Sequence, residues 1–204
     1  AIWVPDAYQI SYNANGGTGG PDLSASDGYD TATFNEPYTI RDENNLARTG
    51  YTFSHWSTAA DGSGGSYENN GDGVNVLTTY TPTGNTTFYA IWTPASFTLT
   101  YNANTGTGTA PSVVTMTYQD EDDGSTIIAD PTLLSKQYAK FVGWNTAADG
   151  SGTAYSVGSE FFAPAENTTL YAQWADIYFV VDFNPLGGTG APAPLFAKNS
   201  ENVT

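Results

Sequence analysis

The chain has 204 residues and carries 5 Lys+Arg against 21 Asp+Glu, a formal net charge of −16. That balance excludes a nucleic-acid partner, because no basic stripe is present to neutralise phosphates, and it opposes docking on anionic lipid. Cysteine is absent, which removes disulfide frameworks and thiolate metal sites, and no run reaches the roughly 18 apolar residues that a membrane-spanning helix needs, so this segment inserts in no membrane.

Taken in chain order, residues 1–7 read as the end of a preceding repeat and a linker, since Ala1-Ile2-Trp3 returns as Ala90-Ile91-Trp92. Tyr8, Ile10 and Tyr12 then alternate with Gln9 and Ser11, the period of a half-buried strand. Asn15-Gly-Gly-Thr-Gly19 is turn chemistry. Ala32 and Phe34 mark a second strand, and Asp42–Arg48 has helical character for about two turns. Phe53–Trp56 predicts a further strand, although Phe and Trp three apart fall on opposite faces unless a bulge intervenes. Asp61-Gly-Ser-Gly64 is a second turn, and Phe88, Ala90 and Trp92 alternate in a closing strand.

The same order then returns. Phe97, Leu99 and Tyr101 open a second copy; Val114, Met116 and Tyr118 give its second strand; Pro131–Lys136 is its helical candidate. Phe141–Trp144, Asp149-Gly-Ser-Gly152 and Leu170, Ala172 and Trp174 follow. Phe179-Val-Val-Asp-Phe183 starts a third copy. The pairs Trp3/Tyr12, Trp92/Tyr101 and Trp174/Phe183 keep one spacing, so the linkers are short and alike. The organisation read from this is module 1 at 8–93, module 2 at 94–175 and an incomplete third repeat at 176–204. The fold class expected is mainly β with a minor α part, as tandem small modules in an elongated array. Each module is expected to be a mostly antiparallel sheet closed by a short helix or an irregular crossover.

Three blocks carry a family resemblance: Tyr12–Gly19, Gly50–Thr58 and Asn85–Trp92, repeated at Tyr101–Gly108, Phe141–Thr146 and Asn167–Trp174. As a set they resemble the Listeria–Bacteroides repeat family of bacterial surface proteins, which includes internalin B-repeat regions. The resemblance implies β-grasp-like modules in large extracellular, surface-anchored proteins with stalk, adhesion or partner-binding roles, and it carries no catalytic residues. This chain departs from the pattern where Thr105 replaces the first turn glycine and where Tyr138-Ala139 stands in place of Gly-Tyr.

Candidate chemistry is sparse. The one histidine, His55, corresponds to Gly143 in the other copy, so a histidine general base is at best a property of one module. Asp61 and Asp149 recur as turn residues rather than as a hydrolytic pair. Asp120, Glu121, Asp122 and Asp123 cluster hard oxygen ligands and form a candidate calcium site; a solvated acidic hairpin tip accounts for the same run. Asn85, Asn167 and Asn202 stand in glycosylation sequons, and Asn85 and Asn167 also begin the closing-strand motif. Lys136 and Lys140 are the lysines available to a Lys–Asn crosslink in module 2, and module 1 has none. Tyr89 and Tyr171, out of phase with the apolar face, are candidates for a sugar platform or for packing on a second layer.

The function expected is a non-catalytic structural or adhesive stalk at the cell surface, with no cofactor and with neighbouring repeats as its standing partners. Two alternatives are a module that grips a glycan or surface protein through loop insertions, and a filament subunit joined by strand exchange through Phe179–Phe183. The chain is expected to be a piece of a longer array.

Overall fold

The computed structural model describes residues 6–23, 28–67, 79–119, 125–162 and 164–198 apart from 185, 188 and 191. The chain divides into two compact units, Ala1–Ala95 and Ser96–Thr204. Among the described residues every regular element is a strand.

In the first unit these are β1 (Ala7–Asn13), β2 (Asp30–Thr33), β3 (Tyr38–Thr39), β4 (Tyr51–Ser57), β5 (Ser66–Tyr67), β6 (Thr79–Tyr80) and β7 (Thr86–Pro94). A five-stranded sheet runs in the order β2-β1-β7-β4-β5, and β3 pairs with β6 beside it. All pairs are antiparallel except β1 with β7, which run parallel with Ile10 opposite Thr86 and Tyr12 opposite Phe88. The first and last strands of the module are therefore neighbours in the middle of its sheet. Alternation alone does not predict this, because parallel pairing of sequence-distant strands leaves no local signature.

The second unit repeats the plan. Its strands are β8 (Ser96–Asn102), β9 (Thr107–Gly108), β10 (Val114–Thr117), β11 (Ser125–Ile127), β12 (Leu134–Ser135), β13 (Ala139–Asn145), β14 (Ala154–Tyr155), β15 (Glu160–Phe162) and β16 (Thr168–Asp176). The sheet order is β10-β8-β16-β13-β14, with β8 and β16 parallel. A last hairpin joins β17 (Tyr178–Val181) to β18 (Leu195–Lys198). All four residues of β17 are exposed.

The expected helices are absent, and the reason is local. In Asp42–Arg48 the backbone turns at Asn44, at φ 52°, and Ala47 then exchanges two hydrogen bonds with Thr18 at 2.8 and 2.9 Å. In Pro131–Lys136 the strand β12 pairs with β9. Each crossover thus gives its backbone groups to the opening turn. A segment of two turns is too short to nucleate a helix against that competition. The module is a small mixed β-sheet closed by an irregular crossover.

The bulge is present in both copies. The β4–β7 register slips between Phe53 and His55, and the β13–β16 register slips between Phe141 and Gly143. One extra residue, Ser54 or Val142, lets Phe and Trp share a face, with ring centroids 5.1 Å apart for Phe53–Trp56 and 5.2 Å for Phe141–Trp144. The cores match position by position. Ile10, Ala32, Ile40, Trp56, Phe88 and Ala90 are buried in one unit; Leu99, Met116, Ile128, Trp144, Leu170 and Ala172 take their places in the other. Ala32 is replaced by a larger Met116 while Phe88 is replaced by a smaller Leu170, exchanges of opposite sign of which the second offsets only part of the first.

Candidate functional site

The residues that recur between copies meet at one place in each module. Asn15 donates its side-chain amide to the carbonyls of Ala60 at 2.8 Å and Ala90 at 2.9 Å, and Asn104 does the same to Ala148 at 2.7 Å and Ala172 at 2.8 Å. Opening turn, central turn and closing strand are thereby tied by one side chain. The closing tryptophan adds a second tie, its indole N–H donating to Ala14 or Ala103 at 3.0 Å. A Cβ on Gly17 or Gly106 would lie 2.5 Å from Cζ2 of that ring, so glycine is required there by close approach.

The central turn is held in the same way. Asp61 Oδ1 accepts from both the backbone N–H and the hydroxyl of Ser63, and Asp149 does so from Ser151. These bonds, the side-chain one foremost, hold both carboxyls below the usual aspartate range. Thr58 and Thr146 accept from the backbone N–H of Gly65 and Thr153 at 2.9 Å.

Module 1 also contains a charge pair that module 2 lacks. Asp30, 2% exposed, accepts from Arg41 Nε at 2.6 Å and Nη2 at 3.1 Å and from the Tyr38 hydroxyl at 2.6 Å. Burial first, and the Asp30 bond second, push the Tyr38 phenol far up; the Asp30 bond raises Arg41. By register with β1 and β8, Val114 stands where Asp30 does. Tyr12 accepts from Arg41 N–H as Tyr101 accepts from Ala129 N–H, which places Ala129 at the position of Arg41. An ion pair in one copy is an apolar pair in the other.

The other residues singled out in the sequence are dispersed. His55 is half-buried on β4, with Nδ1 3.0 Å from the Ser54 hydroxyl. Asn85 and Asn167 are exposed, and their Oδ1 atoms accept from the backbone N–H of Gln9 at 2.9 Å and Thr98 at 2.8 Å, closing the parallel pair of each sheet. Lys136 is half-buried and Lys140 exposed, and Tyr89 and Tyr171 are half-buried. The Asp120, Glu121, Asp122 and Asp123 run and Asn202 lie outside the described residues. Among the described residues no group of three or more His, Asp or Glu gathers as a metal site.

Sequence reading missed a cleft of about 450 Å³ in module 2 lined by Tyr155, Phe161, Phe162, Glu166, Asn167 and Thr168, among others. Phe161 is buried, with its ring edge-on to Tyr155 at 5.3 Å, as Tyr80 is edge-on to Tyr67 at 5.6 Å in module 1. There the Tyr80 hydroxyl lies 2.9 Å from Thr86 Oγ1, and the neighbouring Thr87 is held by Ser11 at 2.8 Å. Phe161 has no hydroxyl, and Thr168 and Thr169 make no side-chain hydrogen bond among the described residues.

The repeated sequence is matched by known proteins. The family model of the Listeria–Bacteroides repeat domain matches residues 8–91 and 97–173. Two curated relatives come from Evansella cellulosilytica. One bears the name "Putative Gly-rich membrane protein" and is 36% identical over 159 residues, covering 74% of this chain and 17% of its own. The other bears the name "Putative membrane protein" and is 28% identical over 177 residues, covering 86% of this chain and 23% of its own. The chain therefore spans about a fifth of the length of the curated relatives it matches. No solved structure matches the chain. With the family model falling on both modules and their motif residues meeting in the same ties, the chain belongs to the Listeria–Bacteroides repeat family.

Proposed function

We propose that the two modules are non-catalytic spacer repeats of an extracellular cell-surface protein, with neighbouring repeats as their standing partners. The observation that carries this reading is what the recurring residues do. Asn15/Asn104, Trp92/Trp174, Thr58/Thr146 and Asp61/Asp149 are all engaged in internal hydrogen bonds, and none faces its counterpart as a reactive group. What this chain repeats from copy to copy is a way of closing a small sheet without disulfides. The relatives' names support a membrane-associated parent protein, and both relatives extend far beyond the matched region. No helix among the described residues is long and apolar enough to cross a membrane.

The test is replacement. In the parent protein, residues 8–175 are exchanged for an unrelated pair of β-modules, and attachment by the cell that displays it is measured. Retained attachment is the expected result. Loss of attachment, with display unchanged, would assign binding to these modules and overturn the spacer reading.

A further inference from the structure

The cleft of module 2 is built from a different set of residues than the repeat ties. Its floor is aromatic, with Phe161 buried and Phe162 42% exposed. Its walls carry Glu166, Asn167, Thr168 and Thr169, neutral hydroxyl and amide groups plus one acceptor carboxylate. No cationic side chain lines it. Its volume of about 450 Å³ falls within the range of roughly 300–1,000 Å³ found for small-ligand sites.

We propose that this cleft binds a neutral saccharide. An exposed aromatic ring offers an apolar face to sugar C–H groups, while threonine hydroxyls, the Asn167 amide and the Glu166 carboxylate match a ring of sugar hydroxyls. The missing cation, in a chain of net charge −16, selects against acidic sugars and phosphates. An extended peptide fits less well, because β14 at this sheet edge is two residues long and offers little backbone for strand addition. Module 1 is the internal contrast. There the Tyr80 hydroxyl occupies Thr86, and Ser11 occupies Thr87, so the threonines that would receive a ligand already have partners. Binding is a property of module 2 alone, superimposed on a shared scaffold.

The experiment is an NMR titration of isotope-labelled 1–204 with short cello-, malto-, manno- and chito-oligosaccharides, with oligogalacturonate as the acidic control and an aromatic-rich peptide as the alternative occupant. The expected result is a saturable shift of the Glu166–Thr169 backbone resonances with at least one neutral series and none with oligogalacturonate. Phe162→Ala should weaken that binding about tenfold. Phe161→Tyr, whose hydroxyl can reach Thr168 as Tyr80 reaches Thr86, should abolish it while resonances elsewhere stay in place. No saturable shift with any neutral series, an equal response to oligogalacturonate, a response to the peptide alone, or undiminished binding in both variants would overturn the proposal.

Discussion

The side-chain amide of Asn104 reaches the carbonyl of Ala172 at 2.8 Å, and this bond joins the first turn of the module to its last strand. The same amide also reaches Ala148 at 2.7 Å. Removing it takes the donor from two carbonyls at once, that of Ala172 part-buried and that of Ala148 exposed. Asn104→Ala should lower the stability of module 2 by about 2–3 kcal/mol, and Asn15→Ala should do the same to module 1. Urea unfolding of each single variant checks this, provided that each midpoint is followed by resonances of its own module. A loss below about 0.5 kcal/mol in both would remove Asn15 and Asn104 from the account of how the module closes.

The departure at Thr105 gives a prediction of opposite sign. Thr105 sits at φ 68°, where Gly16 stands in module 1, and a β-branched residue is strained there. Thr105→Gly relieves that strain but adds freedom to the unfolded chain, so the expected net gain is about 1 kcal/mol. Gly106→Ala, one residue on, should instead cost about 2–3 kcal/mol, because the new Cβ meets a Trp174 ring fixed by its bond to Ala103. Thermal unfolding of both variants distinguishes the two effects. Equal behaviour of the pair would contradict the assignment.

The charge pair of module 1 has a built-in repair in module 2. Arg41→Ala should destabilise module 1 by about 2–3 kcal/mol, since Asp30 is left buried beside Tyr38; the figure is held below that of a fully buried pair because Arg41 is 41% exposed. The double variant Asp30→Val with Arg41→Ala copies Val114 and Ala129 and should recover most of the loss. Denaturant midpoints of the single and double variants decide the matter. A double variant no better than Arg41→Ala would show that Tyr38 cannot give up its acceptor.

Much of this arrangement was legible in the sequence, and the rest was hidden for identifiable reasons. The strands announced themselves by alternation, and the Phe–Trp spacing of three pointed to the bulge that the registers contain. The crossovers read as helical because Asp42–Arg48 and Pro131–Lys136 lack strand periodicity; their pairing with Thr18 and β9 depends on contacts distant in sequence. Asp30 stands on the buried phase of β2 with Ala32 but is a charge, and Arg41 lies in no strand, so nothing local marked them as partners. The cleft was concealed by a slip of one residue. Counting back from Pro82 and Pro164 sets Tyr80 beside Phe162, whereas strand pairing and ring contacts set it beside Phe161.

Acid should act on both modules through the repeated turn. Asp61 and Asp149 are held below their ordinary value of 3.8 in the folded state by the Ser63 and Ser151 bonds. A depressed carboxyl contributes stability that is present above the unfolded value and is lost as pH falls through the folded one. Stability should therefore be flat near neutrality and begin to decline below about pH 4. Asp61→Asn with Asp149→Asn keeps the turn acceptor but removes the titration, and should make that decline shallower. Urea midpoints across the acid range check the slope; an unchanged slope in the double variant would exclude these turns as its source.

The most direct measurement of the spacer claim is made on the displaying cell. One additional copy of residues 8–91, the module without the cleft, is inserted into the parent protein, and the height of a label on its distal segment is measured together with attachment. The account predicts that the label rises by one module while attachment mediated by the distal segment is unchanged. A label at constant height, with attachment increasing in step with copy number, would contradict it and make these modules binders first.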